Sequence, residues 1–116
     1  MSVNTMTRRV IPPYGNQRYE YDETLTYVDT ELTSDPLIFP GGDTVFTATL
    51  YIDTGSGKIQ TTNNKYDDVL SDTDVVWTDW DSGSVTITIQ DTFDASVTAI
   101  RFICTTGTVR LMATAQ

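Results

Sequence analysis

Apolar and polar residues alternate along most of this chain with a period of two, the spacing of a strand with one buried face. The densest alternation lies at residues 96–113. There Thr98, Ile100, Phe102 and Cys104 share one face, while Val97, Ala99, Arg101 and Ile103 share the other. After Thr105-Thr106-Gly107, Val109, Leu111 and Ala113 alternate with Arg110 and Met112. Two such runs around a short glycine-bearing link predict a β-hairpin, and their apolar density predicts that both strands lie in mid-sheet. Upstream, Phe46, Ala48, Leu50 and Ile52 point inward from a strand over 44–52, with Val45, Thr47, Thr49 and Tyr51 outward. Asp53-Thr54-Gly55-Ser56-Gly57 then reads as a turn into an edge strand over 58–62.

The remaining segments follow the same rule less cleanly. Residues 19–28 alternate with Tyr19, Tyr21, Leu25 and Tyr27 on one side, interrupted there by Glu23. Leu37-Ile38-Phe39 is a short apolar piece ended by Pro40-Gly41-Gly42-Asp43, a turn signal. Residues 63–74 read as a surface loop anchored by Tyr66, Val69 and Leu70, with one helical turn around 67–70. Strands are predicted over 74–80 and 84–90, joined by Asp81-Ser82-Gly83, and residues 91–95 form a turn plugged by Phe93.

Composition strengthens the β reading. Threonine, stiff at χ1 and suited to a pleated surface, supplies 22 of the 116 residues, against two lysines and three glutamates. The expected fold is all-β: a single β-sandwich of seven or eight strands, jelly-roll or immunoglobulin-like. A single cysteine makes the immunoglobulin disulfide impossible, which favours the jelly-roll. Cys104 falls within a strand pattern and reads as a small buried hydrophobe.

Charge divides the chain. Residues 1–18 carry three arginines and no acid (+3), and residues 19–116 carry four basic and sixteen acidic groups (−12), giving −9 overall. So acidic a body repels phosphate backbones, and nucleic acid is not an expected partner. The basic segment contains Ile11-Pro12-Pro13-Tyr14-Gly15, which no regular strand can run through. It is expected to be an extended N-terminal arm (1–18) attached to the sandwich (19–116). Its Arg8, Arg9 and Arg18 would pair with acids, Pro12 and Pro13 would pre-order the backbone, and Tyr14 would anchor it on a neighbour. The first residues lack the apolar core of a secretory signal, and no run approaches the roughly eighteen apolar residues of a membrane span.

Candidate chemistry is sparse. The absence of histidine removes Ser-His-Asp and Cys-His arrangements and histidine-ligated metals. No phosphate-cradling glycine loop occurs. No catalytic residue, resident metal or cofactor is assigned. Asp79 and Asp81, flanking Trp80 before Gly83, have the spacing of an oxygen-ligand loop for calcium, although aspartate and glycine also serve tight turns. Trp77 and Trp80 suggest a sugar-stacking surface. At i and i+3 on a strand they point oppositely, which favours Trp77 in the core and Trp80 near a loop. Arg101 and Arg110, on neighbouring strands, are expected to pair with local aspartates.

This acidic, threonine-rich, histidine-free β-domain, with its Pro12-Pro13 segment and the closing run from Val97-Thr98-Ala99-Ile100-Arg101-Phe102-Ile103 to Gly107-Thr108-Val109-Arg110-Leu111, resembles the small accessory structural proteins of tailed-phage virions. The resemblance implies a non-enzymatic capsid decoration (cement) protein on the capsid surface. It also implies a homo-oligomer, with a trimer favoured, that binds the major capsid protein or other virion proteins. The alternative is a carbohydrate- or calcium-dependent binding module, or a tail or fibre component.

Overall fold

The computed structural model describes residues 3–11, 16–38, 45–93 and 97–115. Two long strands carry the architecture: β6 (Phe46–Thr62) and β9 (Ala99–Ala115), seventeen residues each. They pair antiparallel over their full length, from Phe46↔Ala115 to Thr62↔Ala99. At about 3.3 Å per residue such a strand would run roughly 53 Å if straight. The molecule's longest dimension is 45 Å. Both strands therefore bend.

The bend is built from two one-residue offsets. Register slips between Ile52 and Thr54, leaving Asp53 extra on β6, and again between Ser56 and Gly57, where Thr105 is extra on β9. Between the offsets Gly55 stands opposite Gly107, with φ of +81° and +73°. A β-carbon at Gly55 would lie 2.1 Å from the Thr106 carbonyl oxygen, and one at Gly107 2.2 Å from that of Thr54. Only glycine fits either position. An extra residue also reverses which side chains face inward. Along β9 the buried set changes from Ile100, Phe102 and Cys104 to Val109, Leu111 and Ala113, and along β6 from Ala48 and Leu50 to Ile59.

The bend divides the sheet into two limbs. In the first, residues 57–62 and 99–104 are flanked by β4 (Leu32–Thr33), β5 (Leu37–Ile38) and β7 (Thr78–Asp79). β1 (Asn4–Thr5) adds in parallel to β5, and Val85 bridges Gly57. In the second limb, residues 46–52 and 108–115 are flanked by β3 (Asn16–Thr26) and β8 (Ile89–Phe93), and β2 (Thr7–Ile11) pairs with β3. The inner faces of both limbs fill one core. Leu37, Ile59, Trp80, Ile100, Phe102 and Cys104 come from the first, and Ala48, Leu50, Phe93, Val109, Leu111 and Ala113 from the second. The first limb is covered on its outer side too. There Val69 of helix α1 (Tyr66–Ser71) packs on Ile38 and Ala99, with Val3, Val75 and Trp77 around them. These are the covered limb and the open limb.

The chain is thus mostly β, in a barrel- or sandwich-like sheet. Several expected details are corrected. Residues 97–113 form no hairpin, because Thr105-Thr106-Gly107 makes a bulge inside one continuous strand. Residues 53–57 likewise stay within β6. The strand expected over 74–80 shrinks to Thr78–Asp79, while residues 91–93, expected as a turn, belong to β8. The helical turn near 67–70 is present as α1, yet only Val69 of its three proposed anchors is buried. The tryptophans exchange roles: Trp80 is buried in the main core, and Trp77 is half-buried beneath Arg101.

Candidate docking face

Among the described residues, no element covers the outer side of the open limb. Register places Thr7, Glu20, Thr114, Thr47 and Thr92 in one row across five strands. The next row is Asp22, Met112, Thr49 and Gln90, and then come Thr24, Arg110 and Tyr51. Threonine suits such a face because its branched carbon packs across strands while its hydroxyl stays wet. Tyr51 and Val45 are exposed at 42% and 52%, so the face has apolar as well as polar footing.

Its charges are arranged unlike those of the rest of the chain. Four of the five arginines, Arg8, Arg9, Arg18 and Arg110, stand on β2, β3 and this end of β9. Arg110 forks onto Asp22 with two hydrogen bonds, the diagonal geometry of adjacent strands. That fork holds the Asp22 carboxyl below the usual carboxylate range. Arg18 faces Glu20 at 3.6 Å, and its buried Nε makes no hydrogen bond. Arg9 lies opposite Arg18 in register. A groove of about 660 Å³, lined by Thr7, Arg18, Asp22 and Met112 among others, adjoins one of about 300 Å³ beside Val45 and Thr47. Arg18 and Thr114 border both.

Arg8 is exposed on β2, opposite Tyr19. The proposed arm boundary at residue 18 lies inside β3, and β2 is paired onto the chain's own sheet. Pro12, Pro13 and Tyr14 lie outside the described residues. Among those described, β2 pairs on one side only, which leaves a basic edge. Tyr51, Arg110 and Met112 are outward positions in the sequence pattern, and the register joins them into one surface. Their alternation with Leu50, Val109 and Leu111 was the available signal.

Other groups are accounted for by packing. Asp79 accepts from Gln60 Nε2 at 2.9 Å and from Lys58 Nζ at 3.2 Å, which lowers its pKa. The Trp80 indole N–H donates to the Gly83 carbonyl, closing the 80–83 turn inward. Among the described residues no group of three or more Cys, Asp and Glu side chains converges to hold a metal. The Cys104 thiol, raised in pKa by burial, donates to the Gly107 carbonyl at the bend. Glu23, the acid on β3's inner face, accepts from the Tyr21 hydroxyl and from Asn4 Nδ2. Burial, reinforced by Glu23, pushes that hydroxyl's pKa up. Arg101 donates to Gln60 Oε1 at 2.8 Å and lies 4.3 Å from the Trp77 ring centre, so of the two expected arginine–aspartate pairs Arg110–Asp22 forms the direct one. No family model matches the sequence, and neither a curated protein nor a solved structure matches it.

Proposed function

We propose that this protein is a non-enzymatic virion structural protein, a capsid decoration protein that binds and stabilises neighbouring coat subunits. The observation carrying the reading is the open limb. Among the described residues it is an uncovered five-strand face with a one-sided edge strand, and the strands that build it carry four of the five arginines of a chain of net charge −9. Such a surface offers backbone pairing at the edge and charge-steered contact on the face, both modes of protein–protein recognition. With this goes the reading of the bent sheet as a sandwich of jelly-roll or immunoglobulin-like type. A carbohydrate- or calcium-dependent module has less support, because Trp80 is buried and Asp79 already accepts two hydrogen bonds.

The test is co-sedimentation of the purified chain with shells assembled from a tailed-phage major capsid protein, at low and high salt. The chain should bind, and Arg8→Glu with Arg9→Glu should weaken binding by more than about tenfold. Saturation unaffected by that double reversal, or no binding to any such shell, would overturn the reading.

A further inference from the structure

We infer that residues 3–11 form an exchangeable strap, so that in a pair of copies each strap closes the other copy's sheet. The inference goes beyond the decoration reading and does not rest on it. The strap crosses from one limb to the other within nine residues. Val3 packs beside Ile38, Val69 and Ala99 on the covered limb. Asn4 and Thr5 form β1, which adds to β5 in parallel. One residue later the chain leaves that limb, and β2 pairs along β3 of the open limb. Met6, at the crossing, packs against the main core. Asn4 fastens the crossing. Its backbone N–H donates to the Pro36 carbonyl at 2.7 Å. Its side-chain amide donates to the Asp35 carbonyl at 3.3 Å and to the Glu23 carboxylate on β3 at 3.5 Å.

Each of these contacts runs from the strap to another part of the chain. The strap of a second copy makes the same set in the same slot, so the closed and exchanged forms differ in the link and in the entropy of association. The link favours exchange. Ile11 stands opposite Asn16, so the closed form must reverse the chain within Pro12-Pro13-Tyr14-Gly15. Each proline fixes its own φ and pushes the residue before it towards an extended backbone. That preference opposes a reversal and suits a link running straight on to a neighbour. Charge favours exchange as well. The strap carries Arg8 and Arg9 and no acid (+2), and the rest of the chain carries −11, giving −9 overall. A released strap is therefore attracted to the body of another copy as it is to its own.

Sedimentation velocity of the full chain, concentrated and then diluted, tests this. A dimer should form on concentration and dissociate slowly on dilution, since β2 must first leave β3. Thr7→Cys with Glu20→Cys sets two cysteines opposite each other across β2 and β3, close enough for a disulfide. Oxidised while dilute, this variant should run as a monomer on a non-reducing denaturing gel. Oxidised while concentrated, it should run as a covalent dimer, because after exchange the two cysteines of each bond belong to different chains. Chains with either cysteine alone should stay monomeric. Pro12→Ala with Pro13→Ala should lower the dimer fraction several-fold. A wild-type chain that stays monomeric at every concentration, a covalent dimer no more abundant than from the single-cysteine chains, or a dimer fraction indifferent to the prolines would overturn the inference. Shell binding by a chain that never exchanges would sink this inference alone. Exchange in a chain that ignores every shell would sink only the decoration reading.

Discussion

The two limbs share the same pair of strands and differ in what lies on their outer sides. On the covered limb, Ala99 and Ile103 point away from the main core and are nevertheless buried, Ala99 against Val69 of α1 and Ile38. On the open limb the corresponding outward positions of β9, Arg110, Met112 and Thr114, stay accessible to solvent. One strand thus has two buried faces over its first half and one over its second. The covered limb uses its outer face for packing, whereas the outer face of the open limb meets solvent.

The joint between the limbs should be the most sensitive point. Gly107→Ala forces a β-carbon onto the Thr54 carbonyl at positive φ, and a loss of more than about 3 kcal/mol in denaturant unfolding is expected. Gly83→Ala also sits at positive φ but meets open space, so about 1 kcal/mol is expected there. Equal losses at the two sites would show that strain, and not the close approach of the two strands, governs the joint.

Next in size is a direct comparison of the limbs on β9. Ile103→Ala, outward but covered, should cost about 2–5 kcal/mol. Met112→Ala, outward on the open limb, should cost less than about 1 kcal/mol. Similar values by urea unfolding would mean that the open face is covered in solution.

The covered limb's lid gives a smaller effect. Trp77→Leu removes the ring beneath Arg101 and should cost about 0.5–2 kcal/mol. The remaining emission, from buried Trp80, should stay blue-shifted; a red shift would mean that the lid supports the main core.

The smallest effect belongs to the open face. The Asp22 carboxyl titrates below its unfolded value because Arg110 hydrogen-bonds its charged form. The pair's contribution is therefore complete above the unfolded pKa of about 4 and fades as pH falls through the lower folded value. Asp22→Asn should lower the melting temperature slightly at neutral pH and match the wild type in strong acid. A difference that persists in acid would assign the effect to packing.

The β content was legible because threonine and period-two alternation report local backbone preference. Individual faces were legible as well: Ala48 and Leu50, or Val109, Leu111 and Ala113, read correctly as inward sets. Connectivity was not. A glycine flanked by polar residues looks the same in a turn and in a paired bulge, since both need positive φ. Thr105-Thr106-Gly107 and Asp53-Thr54-Gly55 are each turn-like alone, and only their mutual pairing makes them a bend. The face changes hidden in β6 and β9 were signs of bulges, because a hairpin turn does not oblige the next strand to switch parity. The docking face escaped for a related reason. Its members come from five strands, and nothing local tells Met112 that it neighbours Thr49.

The position of β9 in the chain has a consequence for synthesis. β3, β4, β5 and β6 all pair with it, and all precede it. β3, β4 and β5 therefore lack the strand that joins them to β6 until residues 99–115 have left the ribosome. The pairings of β9 with β3, such as Tyr19↔Ala115, join positions far apart in sequence, and such high contact order slows folding. Until β9 arrives, abundant threonine and strong negative charge favour a dispersed nascent chain.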